Sequence, residues 1–350
     1  MAGEKLPAGK LPADLLRVLL KSFPITDPAV IVSGAIGEDA AVIDTGGAEL
    51  LVAKTDPVTF AGKDMVRYLL AVNGNDLATT GAEPRWLLVT ALLPEMVTVE
   101  EASALFDSLR SECTRAGLTL VGGHTEITIG LLRPILIGCL LGTVPRDRLI
   151  RTAGARPGDA ILLVGGIAVE GTAILAREHA AKLRAAGVSP IAVARTADWL
   201  DDPGISILAF ARGLMDSGGV HAMHDPTEGG LATALYEMSE AAGVGMRIGR
   251  DAIPVLPECA AICAVLKLDP LGLLASGALL AAMDPAAVPA AIDRLHATGT
   301  PAARIGEIVP AAEGVRFSDG VPVPTFARDE LASYLERRGP RGTLRPSEVK

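Results

Sequence analysis

The chain reads as an α/β protein of two domains, and three observations carry that reading. Its 350 residues amount to about two domains at ~100–200 residues each. Strand-like apolar runs alternate with amphipathic helical stretches in both halves. Around 145–158, "PRDRLIRTAGARPGD" is charged, aperiodic and broken by Gly and Pro, so it reads as a linker. The expected boundaries are 1–150 for an N-terminal domain, 151–337 for a C-terminal α/β domain, and 338–350 for a disordered tail.

Residues 13–23 fit an amphipathic helix. "AAVID" and "ELLVAKTD" are strand-like runs joined by "TGGA", a hairpin signal. Residues 62–80 are helical with an interruption at Asn73, Asn75 and Asp76, side chains that compete with the backbone for hydrogen bonds. Either the helix breaks at Gly74 or one of its faces looks at something polar. "PRWLLVTALLP" is a strand. "TVEEASALFDSLRSECTRAG" is a helix with a capping box at Thr98 and Glu101 and a stop at Gly117. "LTLVGGHTEITI" and "RPILIGCLLGTV" are strands, so the first half is α+β. The second half opens with "AILLVGG" and a helix over about 169–187. A strand-turn-helix-strand unit follows, ending "VHAMHDPTEGGLATALYEMSEAAGVGMRI". "DPLGLLASGALLAAM", a helix near 286–297 and "ARIGEIV" complete it.

Composition narrows the function. The net charge is -9, and no Lys/Arg cluster exceeds a pair outside the tail stretch "LERRGPRG". Nucleic acid is therefore not an expected partner. Aromatics are 3% against 49% hydrophobic residues, so the cores are built from Ala, Leu, Val and Ile. The cysteines, Cys113, Cys139, Cys259 and Cys263, form no C-x-x-C pair, which suits a reducing, cytoplasmic setting. The N-terminus does not read as a signal peptide. The apolar run 127–144 is broken by Arg133 and Pro134 and reads as two buried strands rather than a membrane span.

Four acidic residues of the first half stand out: Asp39 in "GEDAAV", where a strand begins, Asp56 in "KTDPV", where one ends before a proline, Asp76 in "NDLATTGA" and Glu126 in "GGHTEIT" beside His124. Strand ends are where sites are built on a rigid scaffold. Any one of them alone reads more simply as a turn or cap; four together fit a divalent cation such as Mg²⁺, whose ligands are carboxylates, phosphates and water. In "HDPTEGGL", Asp225, Pro226 and Glu228 read as N-cap, N1 and N3 of a helix. His224, Gly229 and Gly230 are left over; the paired glycines would let a phosphate or another backbone approach, and structural and functional readings are even. There is no P-loop, no strand-following G-x-G-x-x-G, no G-x-S-x-G and no zinc spacing.

"GEDAAV", "KTDPV", "NDLATTGAEP", "VGGHTE" and "HDPTEGGL", in this order over about residues 30–310, resemble the aminoimidazole ribonucleotide (AIR) synthetase superfamily, most nearly its hydrogenase-maturation branch. The resemblance implies a two-domain PurM-like fold, with N-terminal sheets that close into a barrel across a homodimer. It implies Mg²⁺-ATP between the domains and phosphoryl transfer to an amide- or carbamoyl-type oxygen. It assigns Asp39, Asp56 and Asp76 to the metal. Asn73, Asn75, Thr80, Gly122, Gly123, Asp225, Gly229 and Gly230 would bind the nucleotide, and His124, Glu126 and His224 would take part in catalysis. Asn73, Asp76 and Thr80, at i, i+3 and i+7, would form one face turned to the cleft. No cysteine follows Cys263, so the acceptor, a small molecule or a carrier protein, is expected not to ride on this chain's own tail. A small-molecule kinase similar to thiamine-monophosphate kinase and a non-catalytic nucleotide-binding dimer are the alternatives.

Overall fold

In a computed structural model, residues 11, 13–59 and 64–336 are described; the expected tail lies outside them. Two six-stranded sheets divide the chain. The first, in the order β1-β2-β3-β6-β4-β5, is built from Val30–Val32, Ala41–Ile43, Glu49–Val58, Ile135–Pro145, Glu83–Pro94 and Thr119–Thr128. It is antiparallel except where β5 runs parallel to β4. That exception follows from the crossover β4–α3–β5, since a parallel neighbour needs a long connection. Helix α1 (Ala13–Leu20) comes first, and α2 (Met65–Thr79) and α3 (Val99–Ala116) join the sheet's strands. The α3 start carries the expected capping box, with Thr98 Oγ1 accepting from Glu101 N at 3.1 Å, and Gly117 closes the helix in the left-handed conformation.

The second sheet has the order β12-β9-β11-β7-β10-β8. Its strands are β7 (Ala160–Val164), β8 (Val220–His224), β9 (Val244–Ile248), β10 (Leu279–Met283), β11 (Ala302–Pro310) and β12 (Val315–Phe317). β7 and β10 are buried at every residue. The reason is two-sided packing: Ile161, Leu163 and Leu280 face α7 (Gly230–Ala242), while Leu162, Val164 and Leu279 face α6 (Leu208–Ser217) and α9 (Val288–Ala297). A strand covered on both faces reads as a continuous apolar run, as "AILLV" does. Helices α4 (Val169–Ala185), α5 (Pro190–Ala197) and α8 (Pro257–Leu266) share one apolar cluster with the first sheet's core. Helix α10 (Glu330–Glu336) comes last, after β12.

Of the two readings open for α2, the break is not the one found: Asn73, Gly74, Asn75 and Asp76 are all buried within one continuous helix. Two expectations are corrected. β5, expected as a buried strand, is exposed from Thr119 to Ile127, because it forms the edge of its sheet. And α7 begins at Gly230 with Gly229 before it, not at Asp225. Both glycines are left-handed, and a Cβ on Gly230 would lie 2.4 Å from the Leu271 carbonyl oxygen. Residues 225–229 are therefore a loop. All four cysteines are free, with Cys259 and Cys263 buried one turn apart on α8. Among the described residues, no helix is long and apolar enough to cross a membrane.

Candidate active site

The acidic residues converge in the seam between the two halves. On β3, Lys54 and Asp56 are two apart and share the face that α2 covers. Lys54 Nζ lies 2.8 Å from Asp76 Oδ2 on α2 and 3.5 Å from Asp56 Oδ2. Asp39 arrives from the loop before β2. That loop is seated on α7 by Gly37, where a Cβ would stand 2.6 Å from the Glu237 carbonyl oxygen. Asp39 Oδ1 lies 2.9 Å from His224 Nδ1, and His224 Nε2 lies 3.0 Å from Glu237 Oε2. Ligand atoms of Asp39, His224 and Asp225 all fall within 4.8 Å of one another. Beside Asp39, Glu38 reaches Arg151 at 3.5 Å.

The electrostatics describe one shared cluster. Burial pushes the Asp76 carboxyl well above the usual range, and Asp225, Asp39 and Asp56 push it further, with Lys54 opposing. Burial would lower the Lys54 ammonium, but Asp76 and Asp56 outweigh it and hold the pKa high. Burial would likewise lower His224; the charge and hydrogen bond of Asp39, with Glu237, hold it well up. Four carboxylates thus face one lysine, and a divalent cation would relieve the repulsion that adds to burial in raising Asp76.

The remaining expected residues separate into three groups. The expected row of Asn73, Asp76 and Thr80 does not face the acid cluster together, and Asn75 is also turned elsewhere. Asn73 Oδ1 accepts from Asp56 N at 2.9 Å and its amide donates to Leu69 O. Asn75 donates to Ile205 O at 2.8 Å and accepts from Ile207 N at 2.9 Å, tying the halves together. Thr80 Oγ1 donates to Leu77 O. These polar side chains serve neighbouring backbone, and of the expected row only Asp76 meets the acid cluster. Gly229 ends the 225–229 loop that carries Asp225 and Gly230 opens α7; Asp329 braces the loop by accepting from Gly229 N at 2.8 Å. Gly122, Gly123, His124 and Glu126 lie on β5. Asp56 is opposite Gly138, Gly138 opposite Val89, and Val89 opposite Gly123. Three strand spacings of ~4.8 Å put them ~14 Å from Asp56. His124 and Glu126 are exposed and 3.4 Å apart. Two hollows of about 600 and 400 Å³ also adjoin α2, one beside Glu83, Arg148 and Met215, the other beside Arg67, Leu118 and Ile205. Neither includes the acid cluster, and the convergence of charge is the stronger mark of a site.

Lys54 and Glu237 were not singled out in the sequence. Lys54 carried a signal, its i, i+2 relation to Asp56. Glu237 carried none, because only the seating of α7 brings it to His224.

The model of the AIR synthase related protein N-terminal domain matches residues 37–144, and that of the C-terminal domain matches 156–318. Carbamoyl dehydratase HypE of Cupriavidus necator is 36% identical over 285 residues, 78% of this chain and 77% of the relative. Three solved structures share the fold. HypE in complex with ATP has a TM-score of 0.67 at 24% identity, covering 93% of this chain and 98% of that one. A HypE–HypF complex has 0.68 at 22%, covering 87% and 95%. A thiamine monophosphate kinase complexed with AMPPCP and TMP has 0.68 at 19%, covering 90% and 94%. The chain belongs to the AIR synthase related protein family, in the branch of the hydrogenase maturation HypE proteins.

Proposed function

We propose that the chain is a HypE-type, ATP-dependent enzyme that transfers a phosphoryl group to an amide- or carbamoyl-type oxygen. The observation that carries this is the meeting of Asp39, Asp56, Asp76 and Asp225 with Lys54 and His224 in the seam between the halves. The donor set fits Mg²⁺, because carboxylate oxygens predominate and His224 is already engaged by Asp39 and Glu237. A bound Mg²⁺ supplies charge neutralisation for phosphate oxygens. Asp39, Asp56, Asp76 and Asp225 would hold it, and Lys54 would draw the phosphates toward β3. The 225–229 loop, with Gly229 and the first α7 residue Gly230, would border the nucleotide.

We also assign the chain to a cytoplasmic homodimer paired through β5, which runs unpaired along the sheet edge with Leu120, Val121 and Ile127 exposed. A long apolar edge strand needs a cover, and two first sheets closing into a barrel would provide one. His124, Glu126, Gly122 and Gly123 would then reach an active site from the pairing strand. The complex of HypE with HypF supports a protein partner for this chain.

The test is phosphate release from ATP with carbamoyl and amide compounds present. Mg²⁺-dependent inorganic phosphate that appears only with an acceptor supports the reading. A stable phosphorylated product would move it to the small-molecule kinase reading, for which the likeness to thiamine monophosphate kinase speaks. Binding without turnover on any acceptor would leave a nucleotide-binding partner protein.

A further inference from the structure

Asp329 stands just before α10, is 8% exposed, and lies outside the acid cluster. Its two carboxylate oxygens serve different parts of the chain. Oδ1 accepts from Leu331 N at 2.8 Å, in the first turn of α10. Oδ2 accepts from Gly229 N at 2.8 Å, 100 residues earlier. A helix cap needs only the first of these bonds. The second meets an N–H at the head of α7, where a helix leaves its own donors without partners. Gly229 is buried, so an N–H left unpaired there would be costly.

The segment that brings Asp329 to this place is fastened along its length. Tyr236 Oη on α7 donates to Val323 O at 2.7 Å. Phe326 lies against Gly272, where a Cβ would stand 2.5 Å from its ring, and the neighbouring Leu271 carbonyl is the one that crowds Gly230. Beyond Asp329, Leu331 and Tyr334 of α10 are buried in the cluster that includes α4. The His179 ring meets Tyr334 edge-on at 5.2 Å, and Lys182 Nζ lies 5.6 Å from the Tyr334 ring centre. Within the 225–229 loop, Thr227 O accepts from Gly230 N at 3.1 Å and from Ala275 N at 3.2 Å. Asp329 holds the last residue of that loop. The first is Asp225, whose ligand atom is within 4.8 Å of those of Asp39 and His224.

We propose that Asp329 is a positioning residue for the acid cluster: by holding Gly229 N it fixes the 225–229 loop, and with it Asp225, so that nucleotide affinity depends on the seating of α10. This rests on the reading that the cluster binds Mg-nucleotide. An aspartate is required because one side chain must supply two acceptor oxygens in different directions. Ser and Asn cap a helix as well as Asp does, but neither carries a second oxygen for Gly229 N.

The experiment compares wild type, Asp329→Ser and Asp329→Asn. Mg-ADP affinity is measured by calorimetry, and amide exchange is followed at Gly230, Ala275 and Leu331. Both variants should bind Mg-ADP about fivefold or more weakly, the equivalent of one net hydrogen bond. Gly230 and Ala275, whose partner is Thr227 O, should lose protection, while Leu331 keeps its cap. Affinity within about twofold of wild type in both variants means that Asp329 only caps α10, and overturns the proposal. Weaker binding with Gly230 and Ala275 as protected as in wild type overturns it too. If neither variant folds, Tyr334→Ala decides, since it leaves Asp329 in place and unseats α10 from His179 and Lys182. It should weaken Mg-ADP by a similar factor, and unchanged affinity overturns the dependence on α10. If wild type binds no Mg-ADP, the nucleotide reading is what has failed, and exchange alone decides. Protection lost at Gly230 and Ala275 and kept at Leu331 supports the brace, and protection kept at all three overturns it.

Discussion

Asp76 sits inside a helix, buried, beside three other carboxylates and one lysine. Nothing in helix stability asks for an aspartate there, so its role is read from what it faces. Asp76→Asn and Asp56→Asn should leave the circular dichroism spectrum unchanged and weaken Mg-nucleotide binding by up to several kcal/mol, since the lost charge is the clamp on the phosphates. Calorimetry that finds the same affinity in both variants would remove them from the site. The pH direction follows from burial. Asp76 holds its proton above the usual carboxylate range, cation binding requires the anion, and so divalent-cation affinity should drop as pH falls. His224 makes a separate prediction. Replacing it with Ala strands Asp39 and Glu237 without their shared cation and should cost roughly 3 kcal/mol in chemical denaturation. The folded-state pKa is raised, so the wild-type advantage is full below the unfolded value of about 6.5 and shrinks as pH rises through the folded one. Asp39, Asp56 and Asp76 were legible because each marks the border of a strand or a break in a helical pattern. Asn73 and Asn75 gave the same signal for another reason: their amides satisfy the backbones of Asp56, Ile205 and Ile207. Sequence position alone does not separate a side chain that binds a ligand from one that binds its own backbone.

At the scale of the element, what could be read was whatever local chemistry decides. The capping box of α3, the "TGGA" connection between β2 and β3, and the break of the run 127–144 into β5 and β6 each depend on residues a few positions apart. The start of α7 does not. Asp225-Pro226-x-Glu228 has the local form of a helix start, yet the helix waits for Gly230, because Leu271 and Leu273 carbonyls crowd that backbone from a distant connection. Gly230→Ala would add a Cβ at φ 65° and 2.4 Å from an oxygen. We expect a loss of about 2 kcal/mol or more from the left-handed conformation and the clash together. Thermal unfolding checks this, and a melting point within a degree of wild type would show that the 271–273 connection yields easily. Gly158, also at positive φ but with nothing within 4 Å of a Cβ, is the control. There only the backbone penalty applies, and the loss should be smaller.

The whole molecule poses a question that neither residues nor elements answer, namely what covers β5. The strand is ten residues long, its residues Thr119–Ile127 are exposed, and its outer backbone groups form an unpaired row. It carries no lysine or proline to discourage pairing, and Val121 bulges where the register to β4 slips between Leu87 and Leu88. Such an edge is a template for another strand, and a two-fold axis lets one surface cover its own copy. Light scattering should report twice the chain's 36.0 kDa at micromolar concentration, and Ile127→Lys, which puts a charge into that seam, should return the single-chain mass. Monomeric wild type would end the proposal. The dimer also decides what His124 does. Within one chain it stands ~14 Å from Asp56 by strand spacing, too far to touch phosphates held there, so any part in the reaction depends on pairing. His124→Asn should then lower turnover far more than nucleotide affinity, and Ile127→Lys should lower turnover in parallel. If His124 is only an exposed strand residue, its replacement leaves both quantities within about twofold, as surface changes do, even while Ile127→Lys abolishes the dimer. Slow ATP hydrolysis without acceptor serves as the readout until an acceptor is found, and an unchanged rate in His124→Asn would leave Glu126 as the remaining candidate on the strand.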